Sequence, residues 1–455
     1  MQIVKKINNT EIIDVFLGSP KYLDIPKINN ISTGAHKFAT TSSKGSTFRM
    51  VQIVTTSPYY VISKNNDDIT DYVSRPSGIS NSPFTWDFST HIGDTELYFS
   101  DINLNEITTL AFTVSTVDAL NVNGMTNLQT LTLQNSNLLT GFELTTNVQL
   151  TGLNIIGTGV TSVTDLVGIV NTPLEVFNAP NLGLTTLGVI ESIASITGLF
   201  IQSNAITLID LTLLINLQQI SAYSNSITSV DFSNNPLLHT ATLYSNDITS
   251  LDFSNNPLLI DAYINGNVNL TSCDISSNTI LQKFRGTNLN SFVGALTLNS
   301  SSLIQLTASG TFSSLVGYNV AALEIFDITS QNNGLAIDLS NATLLEQFKI
   351  GGGDSVSSLV LPATLNALTI FQTTNNPTFH LLTVDYTIMT NVTQFILDGC
   401  NLTSGQLDTA YIDIDANTSV VGSIDTSGQT AGGSPTATSL AARNNLITNG
   451  WTITI

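Results

Sequence analysis

A repeat solenoid, with short parallel strands stacked into a β ladder and an irregular or short-strand convex side, is the fold class this sequence predicts. Three observations lead there. Residues 231–238 read DFSNNPLL, and residues 252–259 repeat the same eight letters 21 positions on. The segments between these copies share one apolar pattern. The 455 residues also exceed what one compact core organises, which leaves several domains or a repeat array.

Composition narrows the functional classes before any element is assigned. Charged residues are 10% of the chain and hydrophobic ones 42%, the balance of a folded protein. The net charge of −20 disfavours nucleic acid and anionic membrane surfaces, because phosphates need Lys and Arg to replace their counterions. Residues 1–100 hold nine basic and nine acidic side chains, whereas residues 101–455 hold four basic against 24 acidic. This shift sets a boundary and gives three expected domains: a β-rich attachment domain at 1–95, a solenoid of about 14 repeats at 96–403, and a cap at 404–455.

The first domain does not repeat. TFRMVQIVTT (47–56) and YYVIS (59–63) alternate or run apolar like strands, split by Pro58, and SRPSGISNSPF (74–84) has the composition of a connector. ELYFSDINL (96–104) is expected to be a first repeat strand with Leu97 and Phe99 inward. The N-terminal residues lack the apolar run and cleavage site of a secretory signal, and no run of apolar residues is long enough to span a bilayer.

The repeats follow apolar-x-x-apolar-x-apolar-x-x-Asn-x-apolar. Their inward sets are Ile196, Leu199, Ile201; Leu217, Ile220, Ala222; Leu238, Ala241, Leu243; and Leu259, Ala262, Ile264. Asn204, Asn225, Asn246 and Asn267 close the four strands. The apolar-x-apolar core is a short strand with alternate side chains buried, and the Asn turns the chain and can bond to neighbouring backbone through its side-chain amide. Weaker anchors stand at Ile107, Leu128, Leu150, Leu174, Leu281, Leu303, Leu323, Leu345, Leu365 and Val392. This pattern resembles the leucine-rich-repeat family, in the short form of about 21 residues common in Bacteroidetes proteins and in appendage proteins of their phages.

The last segment is expected to cover the open end of the array, as solenoids require. In SGQLDTAYIDIDAN (404–417), Leu407, Ala410, Tyr411 and Ile414 share one helical face. A second helix falls within 434–450, with Gly450 just past its end, and Trp451 shields the last repeat. Cys273 and Cys400 are expected to be buried thiols rather than a disulfide framework.

No HExxH, GxSxG, P-loop or paired CxxC occurs, so no enzymatic activity and no cofactor are expected. Two sets of residues remain. Asp210, Asp231, Asp252 and Asp274 recur every 21 or 22 residues and stack along one edge. Each is expected to accept hydrogen bonds from its own turn; the alternative, a row of cation sites, supplies only one carboxylate per turn. On the solvent face of the strands stand Phe200, Tyr223, Tyr244, Tyr263 and Arg285, with Tyr223 and Tyr244 in one register and Phe200 and Tyr263 two positions earlier. These aromatics suit a sugar or a protein loop, or else stack to stabilise the ladder.

The repeat resemblance implies a non-enzymatic virion surface or appendage protein that uses its solenoid to recognise a host-surface glycan or protein. Its partners would be other virion proteins, held through residues 1–95, and that host molecule. A homo-oligomer is left open, and neither nucleic acid nor membrane insertion is expected. One alternative is a structural virion component, such as a head decoration or tail spacer, without receptor binding. The other is an adhesin on the bacterial cell surface or secreted.

Overall fold

A computed structural model describes residues 104–112 and 117–455, apart from 294, 311–313, 318–319, 331–332, 353–354 and 430–432. Ahead of residue 104 it describes eight strands. The chain forms two compact units, Met1–Ile209 and Asp210–Ile455.

In the first unit, seven strands make an antiparallel sheet in the order Ala119–Leu120, His36–Thr41, Thr95–Ser100, Tyr59–Lys64, Thr70–Arg75, Gln2–Lys6 and Ile12–Phe16. The strand Thr95–Ser100 therefore belongs to this sheet and is not a repeat strand. Alternation alone does not distinguish the two, because both kinds of strand have period two. The side chains of Leu97 and Phe99, and most of the connector expected at 74–84, lie outside the described residues. The ladder itself begins at Ile107–Phe112. Phe48–Thr55 pairs with it antiparallel and occupies an edge that would otherwise expose unpaired backbone groups. Thr130–Gln134, Gly152–Ile156, Val176–Asn178 and Gly198–Phe200 follow, each parallel to the last.

In the second unit the parallel ladder runs from Gln219–Ser221 through Thr240–Thr242, Asp261–Tyr263, Lys283–Leu289, Gln305–Gly310, Ile325–Ser330, Gln347–Gly351, Ile370–Thr374 and Gln394–Ile396. It continues through Ser423–Asp425 to Thr452–Thr454. The opposite side carries separate two-stranded pairings, from Ser250–Asp252 with Ser272–Asp274 to the longer Asn333–Asp338 with Ser355–Val360. This is a leucine-rich-repeat solenoid.

All twelve residues of the four inward sets are buried, none more than 1% exposed. Fully burying a Leu or Ile contributes about 1.5–3 kcal/mol, so these columns are the core. Phe232 and Phe253 of the duplicated segment stack at 5.3 Å on the far side. One anchor is shifted. Leu365 is buried, but Leu368, Phe371 and Thr373 hold the inward positions of its turn. Leu365, Leu368 and Ile370 satisfy the apolar pattern equally well. The choice falls to Phe371, whose ring stacks on Phe348 at 5.1 Å in the preceding turn.

The Asn residues closing the strands bond neighbouring backbone through their side-chain amides, as expected, but do not themselves turn the chain. The chain reversal is made by the residue before each: Ser203, Ser224 and Ser245 have φ of 58°, 54° and 56°, and Gly266 has 69°. The Asn side chain instead ties adjacent turns together. Asn246 donates through Nδ2 to Leu243 O in its own turn (2.9 Å) and Ala222 O in the previous one (3.0 Å), and its Oδ1 accepts from Ile227 N (3.1 Å). Asn267 repeats the arrangement on Leu243 O, Ile264 O and Ile248 N. Cys400 takes this position in a later turn, buried and free, with Sγ 2.9 Å from Thr373 Oγ1; burial pushes its thiol up to about 11. Cys273 is likewise buried and unpaired in a disulfide.

A second ladder lies in the duplicated segments. Asn235, Asn256 and Asn278 are fully buried, and Asn256 donates to Phe232 O (3.1 Å) and Asn235 O (2.8 Å) of the turn before. Asn278 does the same to Phe253 O and Asn256 O. Pro236 then sits at the second position of a β-turn closed by Leu238 N to Asn235 O at 3.1 Å, where its fixed φ fits. Asn-Pro is thus a tie followed by a turn, more than a chain break.

At the C-terminal end, helix α1 (Ser404–Asn417) opens with a Thr403/Gln406 capping box and buries Leu407, Ala410, Tyr411 and Ile414. Helix α2 (Leu440–Thr448) follows, with Gly450 at φ +95° just beyond it. Asp408 is buried and accepts from Thr436 N, Thr436 Oγ1 and Ser439 Oγ, which joins the two helical segments. Trp451 is buried, donates Nε1 to Val420 O at 2.9 Å, and lies 6.3 Å from Phe395.

Replacing Asn256 with Ala removes one of the two hydrogen bonds at each of two buried carbonyls, Phe232 O and Asn235 O, which keep Asn235 N and Leu238 N as donors, and should cost about 0.5–1.5 kcal/mol for each bond lost. Asn255→Ala, one residue earlier and exposed, should stay within about 0.5 kcal/mol. Denaturant midpoints of the two variants check this; equal midpoints would remove the structural role of the second ladder.

Candidate functional site

In a ladder of this kind the side chains alternate, and those between the buried ones face solvent on the strand side. Strand Asp261–Tyr263 shows the pattern half-buried, buried, half-buried, and Lys283, Phe284, Arg285 repeat it. The register fixes a central column: Ser221, Thr242, Tyr263, Arg285, Thr307, Asp327, Lys349 and Gln372. Tyr223 and Tyr244 lie two residues further along their chains, in the next column. The registers derived from the repeat pattern for these residues match this arrangement.

Tyr223 and Tyr244 stack with centroids 4.3 Å apart and planes within 10°. The separation is close to the natural strand spacing, so the ladder itself sets the stack. Such a pair contributes about 0.5–1.5 kcal/mol beyond area burial. Burial pushes the Tyr244 phenol up, with Tyr223 adding to the effect, so the hydroxyl stays protonated at neutral pH. Next to this pair, the Arg285 guanidinium lies 4.8 Å from the Tyr263 ring centre. Its Nε and Nη2 both donate to Gln305 Oε1, at 3.2 and 2.8 Å, and Gln305 Nε2 donates on to Thr307 Oγ1 at 3.1 Å. The guanidinium is therefore held in place before any ligand arrives.

Phe200 stands apart from these four. It belongs to the first unit, in register with Asn178, and its ring lies over Gly198 on its own strand. A Cβ at Gly198 would come within 2.9 Å of that ring. On the shifted turn, Ile370 and Gln372 take the outward positions of the strand Ile370–Thr374. Sequence reasoning missed Lys283 and Lys349 on this face, although the same alternation that located Arg285 places them.

The aspartate column is engaged by its own turns. Asp210, Asp231, Asp252 and Asp274 each accept a backbone N–H two residues on, from Thr212, Ser233, Ser254 and Ser276, at 2.8–2.9 Å. Hydrogen bonds from Thr212 and Ser233 hold the Asp210 and Asp231 carboxyls below their ordinary value. All four are exposed, which lets water screen their mutual repulsion. Among the described residues, no three His, Cys, Asp or Glu side chains are placed to hold a metal ion together. None of the described helices is long and apolar enough to cross a membrane.

No family model matches the chain, and no curated protein matches it. It is similar to a number of solved structures, among them the following three. The functional domain of InlJ from Listeria monocytogenes, which includes a cysteine ladder, is 19% identical, with 72% of this chain and 76% of that one covered and a TM-score of 0.46. An internalin, inlF, from the same species is 14% identical over 77% and 83%, with a TM-score of 0.38. A leucine-rich-repeat protein of Leptospira interrogans is 13% identical over 78% and 97%, with a TM-score of 0.37.

The Asp turns have a defined acid response. A carboxyl with a lowered folded-state pKa adds stability that is present above the unfolded value near ~4 and lost as pH falls through the folded value. Asp231→Asn, which keeps an accepting oxygen but not the charge, should flatten that acid limb: melting falls slightly at pH 7, where the charge-linked stability is lost, and changes least at acid pH, where the wild type has lost it too. Melting with and without chelator should coincide; a markedly lower melting temperature after chelation would reinstate the cation sites.

Proposed function

We propose that this chain is a non-enzymatic recognition protein whose ladder face, between Tyr223 and Arg285, binds a partner on a host surface. One observation carries this: four outward side chains of consecutive turns form two pre-set groups, the Tyr223–Tyr244 stack and the Tyr263–Arg285 pair. Side chains already fixed lose little conformational freedom on binding, so more of their contact energy appears as affinity. The neighbouring outward positions, Ser221, Thr242, Thr307 and Ser309, offer hydrogen bonds and no charge. Tyr and Arg are also the residue types that dominate binding surfaces.

The finer assignment is a virion surface or appendage protein attached through residues 1–95, with a host glycan or protein as its target. Its support is the resemblance of the short, low-charge, Ser/Thr/Asn-rich repeats to those of phage appendages. Peptides of this chain should appear in mass spectra of purified particles; their consistent absence would refute that placement.

Tyr223→Ala combined with Tyr244→Ala should keep the fold and reduce attachment of the labelled full chain to host cells at least tenfold. Removal of the stack should cost only about 0.5–1.5 kcal/mol plus lost burial. Undiminished attachment by a variant that melts normally would overturn this site.

A further inference from the structure

The four cationic side chains after residue 100 are Lys283, Arg285, Lys349 and Arg443, set against 24 acidic ones. Three of the four stand on the ladder face: Lys283 and Arg285 at alternate positions of one strand, and Lys349 further along the Arg285 column. An acidic solenoid thus puts nearly all its positive charge on the strand side. Lys283 and Arg285 are two residues apart, about 6.6 Å along the strand. Arg285 is anchored by Gln305 and Tyr263, which leaves the rest of its fork of five donors for a ligand. Asp261 pairs in register with Lys283, yet its Oδ1 is covered and has no hydrogen-bond partner.

The aromatic groups beside these cations present a usable surface. One face of Tyr244 is covered by Tyr223. On the other side the next turn offers Asn265, a short side chain whose Oδ1 is occupied by Thr287 N at 3.1 Å. Tyr263 stands on the same strand as Asn265, two residues earlier, with Arg285 and Lys283 on the strand that follows. The distance from the Tyr244 column to the strand bearing the cations is two strand spacings, roughly 10 Å, about the length of two sugar rings.

We propose that Tyr244, Tyr263, Lys283 and Arg285 form a binding site for a carboxylate-bearing glycan, such as one containing uronic or sialic acid. A sugar ring packs over Asn265 against the face of Tyr244 turned away from Tyr223, and its carboxylate is taken by the Arg285 fork and the Lys283 ammonium. This rests on the recognition role of the ladder face and specifies its ligand class. Charge complementarity selects an anion, and Arg suits a planar carboxylate through paired N–H donors. An acidic protein segment is disfavoured because none of the exposed large hydrophobics lies on the strands from Asp261–Tyr263 to Gln305–Gly310, whereas protein hot spots need desolvated apolar pockets.

The test is a glycan array probed with the full chain, carrying uronic- and sialic-acid glycans beside their carboxyl methyl esters and neutral counterparts. The site predicts binding to acidic members, at least tenfold loss on esterification, and weakening as salt rises. Lys283→Gln with Arg285→Gln should abolish that preference at unchanged melting temperature. Arg285→Lys, which keeps charge but loses the fork and the ring contact, should bind with intermediate strength. Equal binding to esterified and acidic glycans would overturn the carboxylate site and leave the recognition face intact. No glycan binding, with host-cell attachment still dependent on Tyr223 and Tyr244, would overturn it in favour of a protein partner. Loss of both would overturn the recognition role as well.

Discussion

The structure depends on what happens to backbone carbonyls where the chain leaves each strand. A solenoid turn cannot satisfy them within itself, because the strand has ended and no helix follows to accept the ladder. A buried asparagine solves this by donating two N–H groups, one to its own turn and one to the turn before, as Asn246 does to Leu243 and Ala222. Each turn is then fixed relative to its neighbour by hydrogen bonds as well as by apolar stacking. The second set, Asn235, Asn256 and Asn278, gives both of its side-chain hydrogen bonds to carbonyls of the turn before, on the opposite side of the core. Two such columns hold neighbouring turns from both sides.

The ladder face inherits its order from this restraint. Outward side chains of successive turns are placed one strand spacing apart, which is nearly the contact distance of aromatic rings. Tyr223 and Tyr244 need no further device to stack. Arg285 acquires its fixed position the same way, with Tyr263 on one side and Gln305 on the other in adjacent strands. A scaffold that is rigid on its closed sides can vary the side chains of its open side freely.

Much of this was legible in the letters. Period 21 and the apolar spacing gave the ladder, its inward residues and the outward register of Tyr223, Tyr244, Tyr263 and Arg285, because burial in a strand follows period two. The second asparagine column was also readable. Comparing DFSNNPLL with DISSNTIL (274–281) shows that the first Asn becomes Ser277 while the second persists as Asn278. What misled was pattern without packing: Thr95–Ser100 has strand character but pairs antiparallel outside the ladder, and Leu365 offers a register three residues off the one adopted.

By itself the sequence determined the repeat length, the buried columns and the identity of the groups on the open face, since these follow from side-chain periodicity and composition. Only the tertiary structure decided that the residue before each strand-closing Asn turns the chain, and that Phe371 rather than Ile370 faces inward. Those outcomes depend on contacts between turns, where a ring stack or a carbonyl in the neighbouring repeat chooses among registers that are equivalent within one repeat.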